Sequence, residues 1–109
     1  MSNPSYQEDR PIIKIIADYI SGANDQKRKT ILFERKDGSG KVFYDGKLID
    51  NFPARLYTAF TSRIRILADM TISRNNPLEE GRISHDNLGN WDVLSMIADG
   101  SEVIELNAA

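Results

Sequence analysis

Three Asp-Gly steps, Asp37-Gly38, Asp45-Gly46 and Asp99-Gly100, cut this chain into short segments, and their spacing constrains its fold more than any other feature. A tight hairpin turn needs backbone with positive φ, which Gly adopts freely and Asp tolerates, so the runs on either side become antiparallel neighbours. Thr30 to Arg35 (TILFER) is rich in β-formers and too short for a helix. Asp37-Gly38-Ser39-Gly40 follows, then Lys41 to Tyr44, and the arrangement predicts a hairpin. Beyond Asp45-Gly46, Lys47 to Ile49 is expected as a third short strand. Arg82 to His85, Trp91 to Ile97 and Glu102 to Leu106 read as three more, separated by Asp86 to Asn90 and by Asp99-Gly100-Ser101. Connections this short favour an antiparallel meander.

Two segments carry helical rather than strand periodicity. From Pro11, the residues Ile12, Ile16, Tyr19, Ile20 and Ala23 recur on one helix face, with Asp9 near the start and Gly22 suited to the stop. Asp25 to Lys29 is a charged loop. Pro53, with Asp50 and Asn51 as nearby caps, opens a second helix expected to run to about Asp69. Taking Leu56 as origin and ~100° per residue, Phe60, Ile64 and Leu67 share an apolar sector that also contains Arg63, whereas Arg65 points almost directly away. Arg65 is therefore expected in solvent, while Arg63 must snorkel, pair with an acid or project toward something outside the domain. Ser73 to Glu80, with Pro77, reads as a loop. The whole predicts one α+β domain, a sandwich with helices packed on one face of a mainly antiparallel sheet. Residues 1–10 are expected as a flexible lead, 11–107 as the domain, and 108–109 as a tail or the start of a linker.

Composition narrows the chemistry. With 109 residues, 40% hydrophobic and 28% charged, the chain has the make-up of an ordinary globular domain rather than a disordered segment. There is no cysteine and a single histidine, His85, so disulfides, thiolate sites and multi-histidine metal motifs are excluded. No metal ligand set and no catalytic residue is identified. The longest apolar run, Ile12 to Ile20, is interrupted by Lys14 and Asp18, so no membrane span is expected and a cytoplasmic setting is inferred. Gly38-Ser39-Gly40-Lys41 lacks the spacing of a phosphate loop and is followed by strand residues, so ATP hydrolysis by this chain alone is not expected. Lys27-Arg28-Lys29 stands near Arg35 and Lys36, but without interleaved aromatics and at a net charge of -2 it reads as a solvated loop; nucleic acid is an unlikely partner.

The stretch Ser62 to Ile83 (SRIRILADMTISRNNPLEEGRI) resembles the secretion and pilus motor ATPases, the superfamily of type II secretion and type IV pilus ATPases. In that family a helix with Ser-Arg-Ile-Lys/Arg-Ile-Met/Leu-Ala runs into a loop and then a Gln-Asp-Gly-Arg-Ile strand start. Ser62, Arg63, Ile64, Arg65, Ile66, Leu67 and Ala68 match without a gap, as do Ile72, Ser73, Gly81, Arg82 and Ile83, with Glu79-Glu80 for the usual Gln-Asp. Gly22-Ala23-Asn24-Asp25, the Asp45-Gly46 turn and the closing run Val103-Ile104-Glu105-Leu106 are similar to the family in the same order. The resemblance covers roughly residues 11 to 107.

It implies an N-terminal, PAS-like domain that precedes a RecA-like motor domain. In a hexamer such domains supply arginines toward ATP bound, with Mg, by a motor domain; no cofactor is implied for this chain itself. Arg63 and Arg82 are the nucleotide-facing candidates, against the plainer reading that both pair with Asp69, Glu79 or Glu80. The family's loop arginine falls on Asn76, and Arg74 stands two residues earlier as a third candidate. The family's first-strand histidine is replaced by Leu32. The implied partners are the motor domain of the same or a neighbouring subunit and inner-membrane secretion or pilus assembly proteins. Trp91 is expected in the core or at a domain interface, and as a partner-docking residue if exposed. Two alternatives are a free-standing regulator or scaffold derived from such a domain, and a small-ligand PAS-like sensor with a pocket lined by Phe33, Phe43 and Trp91.

Overall fold

Two three-stranded meanders build the sheet, and one long-range pairing joins them. The computed structural model describes residues 11–70, 78–98 and 100–109. The first meander comprises β1 (Thr30–Lys36), β2 (Ser39–Tyr44) and β3 (Lys47–Pro53); the second comprises β4 (Leu78–His85), β5 (Gly89–Ala98) and β6 (Ser101–Ala108). The six strands lie in the order β3-β2-β1-β6-β5-β4, and every pairing is antiparallel.

Local chemistry explains the meanders. Lys36 pairs with Ser39 across Asp37 and Gly38, whose φ values are 53° and 76°, and Tyr44 pairs with Lys47 across Asp45 and Gly46 at 49° and 83°. Both central residues at positive φ is the type I′ turn, whose twist matches that of the strands it joins. The junction β1·β6 is different in kind. It runs from Thr30↔Asn107 to Lys36↔Ser101, joining the first strand to the last, and no local signal specifies it.

Helices α1 (Ile12–Asp25) and α2 (Tyr57–Leu67) cover one face. Since β3 and β4 are opposite edges, the chain between them must cross the sheet, which it does through a 3-10 turn at Ala54–Leu56 followed by α2. The core lies between helices and sheet, where Tyr19, Phe33 and Phe60 meet edge-to-face and Phe52 stacks at a tilt on Phe60. The α+β class and the helices on one face of an antiparallel sheet are as the sequence predicts. No helix among the described residues is long and apolar enough to cross a membrane.

Boundaries differ where tertiary contacts extend or end an element. Helix α1 passes through Gly22 and stops three residues later, at Asp25. Lys27, at φ 56°, turns the backbone so that its N–H reaches Asn24 O and the Arg28 N–H reaches Ala23 O, a Schellman closure without glycine. Helix α2 ends in the same way, with Asp69 at φ 54°, its N–H on Ile66 O and the Met70 N–H on Arg65 O. Pro53 closes β3 instead of opening a helix, and β3 continues past Ile49 with a bulge opposite Val42 and Phe43. Strand β4 already begins at Leu78, within the expected loop. Strand β6 runs on to Ala108, whose N–H donates to Lys29 O.

Candidate functional site

Two arginines of the Ser62 to Ile83 stretch, Arg63 and Arg65, are positioned by the register of α2. Its sheet-facing stripe is Tyr57, Phe60, Ile64 and Ala68. At ~100° per residue, the centre of that stripe is rotated about 50° from a sector drawn on Leu56. Leu56 belongs to the 3-10 turn, outside the α-helical register. In the observed register Arg63 and Arg65 occupy opposite flanks of the stripe, and Ile66 faces solvent.

Arg65 is therefore not the solvent-facing charge that the sequence suggests. Its side chain is 12% exposed, its Nη1 donates to Glu79 Oε1 at 2.9 Å, and its Nη2 donates to Ser95 Oγ at 2.7 Å. Glu79 reaches it because β4 begins early enough to place that residue beneath the helix flank, and Glu79 is itself 11% exposed. Ser95 follows Trp91 and Val93 in the inward phase of β5, where a small side chain leaves room for the guanidinium. That inward phase was the available signal for this cluster. Arg65 pins α2 to two strands.

Arg63 has a different environment. It is half-buried on the other flank, and its Nε is sequestered without a hydrogen-bond partner among the described residues. A buried guanidinium N–H left unpaired costs free energy.

Arg82 points the other way. Along β4, Ile83 is buried, and a Cβ at Gly81 would sit 2.3 Å from Met70 Cγ and 3.2 Å from Ala68 O, so both neighbours of Arg82 face the helices. Glycine at 81 is what lets the end of α2 lie against the strand. Alternation then directs Arg82 to the helix-free face, where its Nε lies 3.2 Å from Oδ1 of Asp92, directly across the β4·β5 pair. Both side chains are 60% exposed. Arg63 and Arg82 thus lie on opposite sides of the sheet, and one copy of the domain does not bring them to a common anion. Arg74 lies outside the described residues.

Trp91 is 1% exposed, with its Nε1 donating to Leu88 O at 2.8 Å. It is a core residue, and the exposure that docking would require is absent. Phe33 is buried on the same inner face, whereas Phe43 points to the helix-free side, so the three rings do not line one pocket.

The remaining charged motifs are tied into the scaffold. Asp45 Oδ1 accepts hydrogen bonds from the Lys29 and Thr30 N–H groups and from Thr30 Oγ1, and its Oδ2 is 3.7 Å from Arg28 Nη1. These contacts, led by the Thr30 N–H, hold its carboxyl below the ordinary aspartate range. Arg35 Nε donates to Glu102 Oε2 at 2.8 Å, which raises the guanidinium pKa further. Burial pushes the phenols of Tyr44 and Tyr57 up, and Tyr44 donates to the Tyr19 carbonyl. His85 accepts from the Asn87 N–H at 3.3 Å, and no metal-ligand cluster occurs among the described residues. No protein-family model matches this chain, and no curated protein matches it.

Proposed function

We propose that this chain is a non-hydrolytic assembly and nucleotide-sensing module, the PAS-like N-terminal domain of a type II secretion or type IV pilus motor ATPase. Arg63 is the residue that it presents toward ATP held by a RecA-like motor domain. The observation that carries the reading is the contrast on α2: Arg65 is consumed by Glu79 and Ser95, while the Nε of Arg63, two residues earlier in the motif, has no hydrogen-bond partner among the described residues. A guanidinium fixed on a helix beside a γ-phosphate stabilises the charge that builds up during phosphoryl transfer. ATP and Mg belong to the motor domain in this reading. The setting is cytoplasmic and peripheral to an inner membrane, in a hexamer whose other partners are secretion or pilus assembly proteins. Arg82, on the far face, serves a different contact.

The second reading is a free-standing regulator or scaffold derived from that domain. It is favoured by the pairing of Arg82 with Asp92 and by Asn76 in place of the loop arginine.

Two measurements test the proposal. The reading frame beyond Ala109 should encode a Walker A motif. In the protein joined to its motor domain, Arg63→Ala should lower ATP turnover by at least about tenfold. Lys47→Ala, at the exposed start of β3, is the control. A frame without a motor domain, together with no binding to or stimulation of such an ATPase, would sink the proposal.

A further inference from the structure

The helix-free face of the sheet carries an apolar residue from every strand, namely Leu48, Phe43, Leu32, Val103, Met96 and Leu78 in sheet order. Register makes these a continuous band: Leu48 pairs with Phe43 and Phe43 with Leu32, while Val103 pairs with Met96 and Met96 with Leu78. Between β1 and β6 the band steps one row, since Leu32 is opposite Glu105, two residues from Val103. Leu78 is 53% exposed, Leu48 is exposed and the other four are half-buried; α1 and α2 lie on the opposite face. Six strands at ~4.8 Å spacing make the band about 24 Å long, the length of a helix of about 16 residues.

The flanks of the band choose the partner. At the β1·β2 end, Glu34 faces Lys41 in register, so the two charges offset. At the other end Leu94 stands between Glu105 and Glu80, and no basic side chain among the described residues pairs with either carboxylate. A shallow depression beside Leu94 is lined by Glu80, Asn107 and Asp92, the last of which is already offset by Arg82. A second copy would bring the same carboxylates to the interface, and the chain already carries net charge -2. We infer that this face docks an amphipathic helix of a partner protein, which lays its apolar side along the band and sets lysines or arginines against Glu80 and Glu105. The inference does not depend on Arg63 or on a nucleotide.

The test titrates the ¹⁵N-labelled chain with two synthetic helical peptides of about 16 residues. Both carry leucines on one face, one with lysines along the edge and the other with glutamates. The lysine peptide is expected to shift the amides of β4, β5 and β6 and to bind about three- to tenfold more tightly than its counterpart, the size expected of two exposed ion pairs. Glu80→Lys combined with Glu105→Lys should reverse that preference. Glu80→Gln with Glu105→Gln should abolish it, which keeps the test intact if the reversal impairs folding. Equal binding of both peptides, binding of neither, or shifts confined to α1 and α2 would each overturn the inference. So would sedimentation showing a dimer that Met96→Glu dissociates, since a second copy would then be the occupant. Failure of the peptide test leaves the turnover result for Arg63→Ala untouched, and the converse also holds.

Discussion

At the scale of single residues, environment rather than type decides what a charge does. Arg63 and Arg65 are two positions apart in one motif, yet Arg65 is bonded into the domain and Arg63 has a buried Nε with no partner among the described residues. Asp45 shows the same principle at a turn. The Asp-Gly pair is legible as a turn, but its carboxylate also gathers the amides of Lys29 and Thr30, which lie fifteen or more residues earlier. Its pKa is lowered on folding, so its contribution is fully present above the unfolded value near 4 and is lost as pH falls through the folded value. Asp45→Asn keeps an acceptor oxygen and removes the titration. It should be less stable than the wild type at pH 7, and the gap should close as the pH falls below about 4, as urea midpoints across that range would show. A gap that persists unchanged in acid would assign the effect to shape rather than charge.

Among elements, the placement of α2 matters most. Helical periodicity identifies the segment but not the direction it faces, because Leu56, at the head of the apolar sector, lies in a 3-10 turn outside the α-helical register. What holds α2 in rotation is the pair Arg65–Glu79 with Ser95, together with Gly81, whose lack of a side chain admits Met70. Arg65→Met would leave the Glu79 carboxylate nearly buried without its cation, at a cost of about 3 kcal/mol. Adding Glu79→Leu should recover most of that loss, since an apolar pair of similar volume is close to neutral in such a site. Denaturant unfolding of the two single variants and the double variant measures the coupling. Additive losses would show that the pair does not hold the helix.

For the whole molecule, the two meanders share one core across the β1·β6 seam, with Phe33 opposite Ile104 and Ile31 opposite Leu106, all four buried. They are therefore expected to unfold together. Fluorescence of Trp91, the only tryptophan and a residue of the second meander, should report the same urea midpoint as far-UV circular dichroism, which reports both halves. Separate midpoints would mean that the seam does not couple them. The sequence by itself determined the six β-rich runs, the Asp-Gly turns at 37–38 and 45–46, the two helices and the α+β class, because turn chemistry and hydrophobic period are local properties; Asp99 of the third Asp-Gly step lies outside the described residues. It also marked Arg63 and Arg82 as residues of interest. Only the tertiary structure decided that the meanders join through β1 and β6, that Trp91 lies in the core, and that Arg82 faces away from Arg63. Each of these depends on which way a strand or helix is turned against a distant neighbour, and that contact is made between residues whose spacing in the chain carries no record of it.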